Sequence, residues 1–254
     1  MSDTCVSPPE RVSIIGVPIS LINRKTSIDF VANHFERIRG RYICVSNVHT
    51  TVMAHENAEY GRIQRESIIS LPDGTPLSLV GRYKGYTQME KVRGMDFISD
   101  VLLDERFHNY KHFFYGCTLD TLERMVANLH NQHSNICICG IEPSPFRELS
   151  DEDVDNLVTQ INKADADFVW IGIGAPRQEI LMHRLNGRVN ALMVGIGGVF
   201  NILAGKVEDA PRWMQCIGME WFYRLCMEPR RLFWRYLKTN TQFVWFLIRE
   251  GLNV

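Results

Sequence analysis

Six short runs in this chain are apolar at nearly every position: "YICVS" (42–46), "SIISLP" (67–72), "HFFYG" (112–116), "NICICGI" (135–141), "DFVWIGI" (167–173) and "ALMVGIG" (191–197). A strand without polar alternation has to be covered on both faces, which a mostly parallel sheet between helical layers provides and a one-sided antiparallel sheet does not. The intervening segments have helical spacing. They include "SIDFVANHFERIRG", "TTVMAHENAEYGRIQRE", "MDFISDVLLDERF", "TLDTLERMVANLHNQH" and "PRQEILMHRLNG". Ser150 and Asp153 open "SDEDVDNLVTQINKA" with the pattern of a capping box, and Pro176 suits a first helical turn. "RVSIIGVPIS" (11–20) reads as one further strand. The expected class is α/β, a Rossmann-like, mostly parallel sheet with helices on both faces.

From about residue 210 the strand signal stops. Four of the five tryptophans fall in the last 45 residues, interleaved with Arg212, Arg224, Arg230, Arg231, Arg235 and Lys238. The expected organisation is therefore a catalytic domain over 1–209 and a C-terminal helical, basic and aromatic appendage over 210–254, broken near Pro229. Cations set among Trp, Tyr and Phe suit packing helices whose long side chains reach back to water. They also suit an interfacial segment on an anionic membrane surface, and such a face can serve as a homo-oligomer contact. The run "FVWFLI" is far shorter than the roughly 20 residues of a membrane span, and the opening "MSDTCVSPPE" lacks the basic flank and apolar core of a signal peptide. A cytoplasmic protein is expected.

A net charge of −1 over 254 residues argues against nucleic acid as a partner held by overall charge. The seven cysteines are scattered without a CxxC pair, the pattern of reduced packing cysteines. No Walker-type loop is present, and no Asp-x-Asp of the kind that holds a metal–nucleotide complex, so neither a metal nor another cofactor is expected.

Ligands of open α/β sheets bind beyond the carboxyl ends of the strands. Four such ends carry polar or glycine-rich signals: Asn47, Asp73 within "LPDG", "GAPRQE" at 174–179, and "GIGG" at 195–198. Each has a plain structural explanation. Asn47 and Asp73 can cap a helix or close a turn, Gln178 can be a solvated first-turn residue, and the glycines can serve tight packing. Their shared location at one sheet edge favours a ligand cleft, with Gly174, Gly197 and Gly198 allowing backbone to approach a sugar or diphosphate and Arg177 expected as a further substrate-binding residue. A nicotinamide-dependent oxidoreductase is disfavoured, because Arg177 stands where the third glycine of that fingerprint would fall.

The runs "LPDG" (71–74), "RGMDF" (93–97), "GAPRQE" (174–179) and "GIGGVFNILAGKVEDAPRWMQCIGMEWFYRLCMEPRR" (195–231) resemble the TagA/WecG/CpsF family, glycosyltransferase family 26, from about Ile14 to Arg249. The resemblance implies an inverting, metal-independent transfer of a sugar, of N-acetylmannosamine type or a related hexose. The donor would be a UDP-sugar and the acceptor a polyprenyl-diphosphate-linked sugar, in the synthesis of teichoic acid, enterobacterial-type antigen, capsule or exopolysaccharide. It implies Asp73 as the catalytic base, with Asn47 and Gln178 in the catalytic cleft. Arg224 and Arg231, joined by Arg230 or Arg235, would lie on the diphosphate, and the enzyme would act peripherally on the inner face of the plasma membrane. Two positions depart from the family pattern. Val45 stands where a threonine is common, and Trp234 occupies the place of a third appendage arginine. A non-catalytic sugar-nucleotide or lipid-linked-sugar binding protein on the same scaffold is the alternative.

Overall fold

The computed structural model describes residues 6–133, 135–145 and 147–251, without the side chain of Arg231. The chain opens with two antiparallel strands, β1 (Arg11–Ile14) and β2 (Val17–Ser20). The sequence reading of one continuous strand here is corrected: the two-residue loop Ile15–Gly16 has positive φ at both positions, 48° and 76°, which is the backbone of a tight hairpin turn. The apolar residues on either side, Val12, Ile14, Val17 and Ile19, conceal that turn because all are buried.

The main sheet has six parallel strands: β3 (Tyr42–Ser46), β4 (Ile69–Pro72), β5 (Lys111–Gly116), β6 (Cys137–Glu142), β7 (Phe168–Gly172) and β8 (Leu192–Gly195), in the order β4-β3-β8-β7-β5-β6. Successive side chains alternate between its two faces. Ile43, Val45, Phe114, Trp170 and Val194 join one core; Tyr42, Cys44, Val169, Ile171 and Met193 join the other. The first core is covered by α1 (Arg24–Ile38), α5 (Gly94–Leu103), α6 (Leu119–Gln132) and α9 (Val199–Leu203), the second by α3 (Ala58–Glu66), α7 (Asp151–Lys163) and α8 (Arg177–Leu185). The doubly covered sheet is the expected one. The single helix expected over 50–66 is instead two, α2 (Val48–Glu56) and α3, because Asn57 leaves helical geometry and its side chain caps α3 by accepting from the Tyr60 amide. The Ser150–Asp153 capping box is present. Pro176 lies just outside α8, as its N-cap residue.

A third core joins the hairpin, α2 and α4 (Thr75–Tyr83) to the end of the chain. Beyond residue 210 lie α10 (Arg212–Cys216), α11 (Glu220–Met227) and α12 (Pro229–Gly251). Phe243 of α12 enters this third core, only 4% exposed. Glu250 accepts from the Ile15 amide and from Lys84 Nζ, both at 3.0 Å, and Phe246 packs on His55 with ring centroids 4.1 Å apart. The appendage is thus fastened along the β4 side of the sheet. Its other side is open: Trp213, Trp221, Phe222, Trp234, Trp245 and Ile248 are all exposed. The cysteine expectation holds only in part. Cys44 is buried, whereas Cys137, Cys216 and Cys226 are exposed, and all six described cysteines are free thiols.

Candidate functional site

The four strands whose carboxyl ends carry the sequence signals, β4, β3, β8 and β7, are consecutive neighbours in the sheet. Parallel pairing therefore sets Asp73, Asn47, Gly197 and Gly174 side by side along one edge. That juxtaposition could not be read from the sequence, since β3 and β8 lie about 150 residues apart in the chain yet pair directly, Tyr42 opposite Met193.

Asp73 leaves β4 with its amide donating to the Ser46 carbonyl at 2.7 Å, which ties it to the end of β3. Pro72 restricts the approach to it, and Gly74 at φ 104° turns the chain straight into α4. The Asp73 carboxylate is half-buried and takes part in no hydrogen bond or ion pair among the described residues. Burial pushes its pKa up from 3.8 to about 6. The Arg224 and Arg93 charges pull it down, while Glu220 and Asp96 push it up. A carboxylate with unengaged lone pairs that titrates near 6 is suited to accepting a proton.

Asn47 is the N-cap of α2 in a reciprocal capping box: its Oδ1 accepts from the Thr50 amide at 3.2 Å and its amide donates to Thr50 Oγ1 at 2.8 Å. The capping explanation is correct for the oxygen, and the fixed oxygen also orients the Nδ2 donors. Gln178 is no solvated first-turn residue. It is 4% exposed, its Oε1 accepts from the Gly174 amide at 3.2 Å, and its Nε2 donates to Glu179 Oε1 at 2.9 Å. A methyl group at Gly195 or Gly197 would come to 3.0 or 3.4 Å from the Gln178 amide, so these glycines let the amide lie against the end of β8. Gly174 and Gly197 have positive φ, 81° and 55°. Gly174 and Gly198 have no atom near a would-be Cβ, which leaves space over their backbone. Arg177 is exposed and donates to the Arg147 carbonyl at 2.9 Å, where it braces the loop before α7.

The appendage reaches this edge through ion pairs that sequence reasoning missed. Arg93, 6% exposed, holds Asp96 through Nε and Nη2 at 2.9 and 2.8 Å and Asp209 through Nη1 at 3.1 and 2.9 Å. Its Nη1 also lies 3.8 Å from Glu220. Lys91 donates to the Gln215 carbonyl at 2.9 Å and to Glu220 at 2.5 Å. These contacts seat α11 beside Asp73 and explain why Glu220 and Arg224 act on its carboxyl. The signal was available: Arg93 and Asp96 within "RGMDF" have the i,i+3 spacing of a pair at a helix start.

Arg224 is exposed on α11, and Arg235 is half-buried on α12. The Arg235 guanidinium stacks on Tyr236 at 5.5 Å, and its charge, after burial, helps hold His49 of α2 below its ordinary pKa. Arg235 is thereby placed near the first turn of α2, two residues beyond Asn47. Arg231 lies in the first turn of α12, with its side chain outside the described residues.

Among the described residues no three His, Cys, Asp or Glu side chains converge as a metal-binding group, and no helix is long and apolar enough to cross a membrane. A cavity of about 320 Å³ opens at the opposite, amino-terminal end of the strands. Its two arginines are already committed, Arg39 to Asp167 and Glu36, and Arg188 to Asp155. It offers no comparable set of reactive groups.

Residues 12–254 match the family described as "Glycosyl transferase WecG/TagA/CpsF family". Over 243 residues, 95% of this chain and 92% of the relative, the sequence is 26% identical to an N-acetylglucosaminyldiphosphoundecaprenol N-acetyl-beta-D-mannosaminyltransferase of Bacillus subtilis. Over 218 residues, 85% of this chain and 82% of the relative, it is 25% identical to the protein of the same name from Bacillus spizizenii. The match spans the sheet, the strand-end cleft and the appendage, and the chain belongs to the WecG/TagA/CpsF family of glycosyltransferases.

Proposed function

We propose that this protein transfers a hexose, of N-acetylmannosamine type or a close relative, from a UDP-sugar to a sugar carried on polyprenyl diphosphate, with inversion and without a metal. The observation that carries the reading is the placement of Asp73: a half-buried carboxylate with unengaged lone pairs at the end of the edge strand β4, first in a row of four neighbouring strand ends that continues with Asn47, Gly197 and Gly174. The Bacillus relatives are named for transfer of N-acetylmannosamine to an N-acetylglucosaminyl-diphosphoundecaprenol, a substrate of the same kind.

In this reading the acceptor hydroxyl attacks the anomeric carbon from the face opposite the leaving diphosphate. The new carbon–oxygen bond forms as the bond to UDP breaks, and the hydroxyl proton passes to Asp73. Asn47, oriented by its cap, holds a substrate hydroxyl with Nδ2. The negative charge that develops on the departing diphosphate meets the cations of the appendage, Arg224, Arg231 and Arg235, and the backbone at Gly197 and Gly198. Their charge takes the place that a divalent cation has in other transferases. The lipid tail of the acceptor stays in the bilayer, so the exposed aromatics of α10–α12, with Arg212, Arg230 and Lys238 among them, rest on the inner membrane surface.

The test is turnover of a panel of UDP-sugars by the purified protein on a polyprenyl-diphosphate-linked N-acetylglucosamine. One sugar should be transferred with release of UDP. Binding of UDP-sugars without transfer to any such acceptor would instead mark a binding protein on this scaffold.

A further inference from the structure

Glu179 lies on α8 beneath the strand-end cleft, with 0% of its surface exposed. Among the described residues no cation acts on it; the groups that do are Gln178, Tyr60 and the buried Cys44 thiol. Burial raises its pKa to about 7, with Gln178 and Tyr60 opposing the rise. Its Oε2 has no hydrogen-bond partner of normal geometry. An acid this deeply buried costs stability unless it organises its surroundings.

A row of polar groups runs toward it. Ser46 Oγ donates to Gln64 Oε1 at 2.9 Å, which leaves Ser70 Oγ as the donor in its 2.8 Å contact with Ser46. Gln64 Nε2 donates to the Tyr60 hydroxyl at 3.0 Å, and the Tyr60 proton is thereby directed at Glu179. From the other side Gln178 Nε2 donates to Glu179 Oε1 at 2.9 Å, and the Gly174 amide donates to Gln178 Oε1 at 3.2 Å. The Gln178 arm reaches the Glu179 carboxyl by a hydrogen bond; the Tyr60 arm approaches it without one of normal geometry. One arm starts at Ser70 and passes through Ser46, whose carbonyl receives the Asp73 amide; the other starts at Gly174.

We infer that Glu179 is a positioning residue for the transfer: by accepting from Gln178 it fixes which edge of that amide faces Gly174, and so sets the Gly174–Gly197 face of the cleft in register with Asp73. The inference rests on the transferase reading for its kinetic consequence but not for its structural one. Without the Glu179 acceptor the Gln178 amide keeps only one of its two anchors, the 3.2 Å bond from the Gly174 amide, and its Nε2 is drawn toward another acceptor, which loosens the hold on Gly174. Directional rows of this kind polarise and rigidify one another.

The test uses the full-length protein with Glu179→Met, which keeps volume and removes the acceptor, and Glu179→Gln, which keeps one acceptor oxygen. Glu179→Met removes a costly buried acid but leaves the Gln178 Nε2 donor without its acceptor; these effects oppose each other, so the Met variant is expected to stay folded and to melt close to wild type. It should nevertheless lose at least tenfold in kcat/KM for the donor, with the Gln variant recovering most of that loss. In a cycle with Gln178→Met, the double variant should be no worse than Gln178→Met alone, since both changes release the same amide. Amide exchange at Gly174 should accelerate at least tenfold in Glu179→Met. Unchanged Gly174 exchange, wild-type kcat/KM in Glu179→Met, or losses that multiply in the cycle would each overturn the inference. Should wild type transfer no sugar, the proposed function fails, while Gly174 exchange still decides the role of Glu179. Should Glu179→Met not fold, the comparison of Glu179→Gln with wild type at Gly174 decides it: slight acceleration agrees, and none contradicts.

Discussion

Arg93 donates through Nη1 to both carboxylate oxygens of Asp209, at 3.1 and 2.9 Å. Asp209 closes the sheet-bearing part of the chain, and the next helices carry Glu220 and Arg224 to the side of Asp73. One guanidinium therefore fixes where the appendage begins relative to Asp73.

Breaking the Arg93 cluster should cost both stability and activity. Arg93→Met leaves Asp96, Asp209 and Glu220 together without their shared cation. Removing one partner of a buried ion pair typically costs about 3–5 kcal/mol, so the melting temperature should drop by roughly ten degrees. Asp209→Asn keeps a hydrogen-bond acceptor and should cost less than half as much. Calorimetry of the two variants checks the order.

If Asp73 takes the acceptor proton as proposed, the transfer rate should rise with pH through about 6 and level off above it, because a carboxyl accepts a proton only when ionised. Neighbouring charges give the acid limb opposite signs in two variants. Glu220→Gln removes a charge that raises the Asp73 pKa and should move the limb to lower pH. Arg224→Ala removes one that lowers it and should move the limb to higher pH. Shifts in the same direction for both would contradict the placement of α11 beside Asp73.

Stability has the reverse dependence at the same residue. Asp73 has a folded pKa raised above its ordinary 3.8, so the folded protein holds that proton more tightly than the unfolded chain does. Its contribution is favourable below pH 4 and is lost as pH rises through 6. Asp73→Asn should therefore melt above wild type at pH 8, by at most about 3 kcal/mol, and match it near pH 4. Melting curves at the two pH values test this.

How much of this was legible in the sequence depended on the range of the interaction. The doubly apolar strands and their helices could be read locally, and so could Asn47 and Asp73, since a cap and a strand-end turn are properties of a few neighbouring residues. The hairpin at Ile15–Gly16 was not legible because the apolar residues on both sides of it, Val12, Ile14, Val17 and Ile19, are all buried and run on as one apolar stretch across the turn. Glu179 stands in "GAPRQE" with no local sign of its burial, because that burial depends on Tyr60 and Cys44, more than 100 residues away. The Lys91 and Arg93 pairs with Glu220 also link distant segments, so only the Arg93–Asp96 spacing could have announced them.

The appendage should separate into two functions. Charge reversal at Lys238 and Arg249 should weaken binding to anionic vesicles, each cation being worth roughly 1 kcal/mol, while transfer to a short water-soluble acceptor is preserved. Arg224→Ala should do the opposite. Vesicle flotation at low and high salt, run beside the soluble assay, checks both. Identical profiles for all three changes would leave the appendage as a packing element.

Activity should persist in excess EDTA, since the departing diphosphate is to be met by arginines. Loss in chelator, restored by Mg²⁺ or Mn²⁺, would show that a cation completes the site.

The central claim is that Asp73 takes the proton of the acceptor. Asp73→Asn preserves the size of the side chain and the backbone bond to Ser46 while removing the base. The direct measurement is its single-turnover rate of sugar transfer at pH 8, on protein shown to be folded and to bind the UDP-sugar as wild type does. The account predicts a fall of about 10²–10⁴-fold; a rate near that of wild type would contradict it.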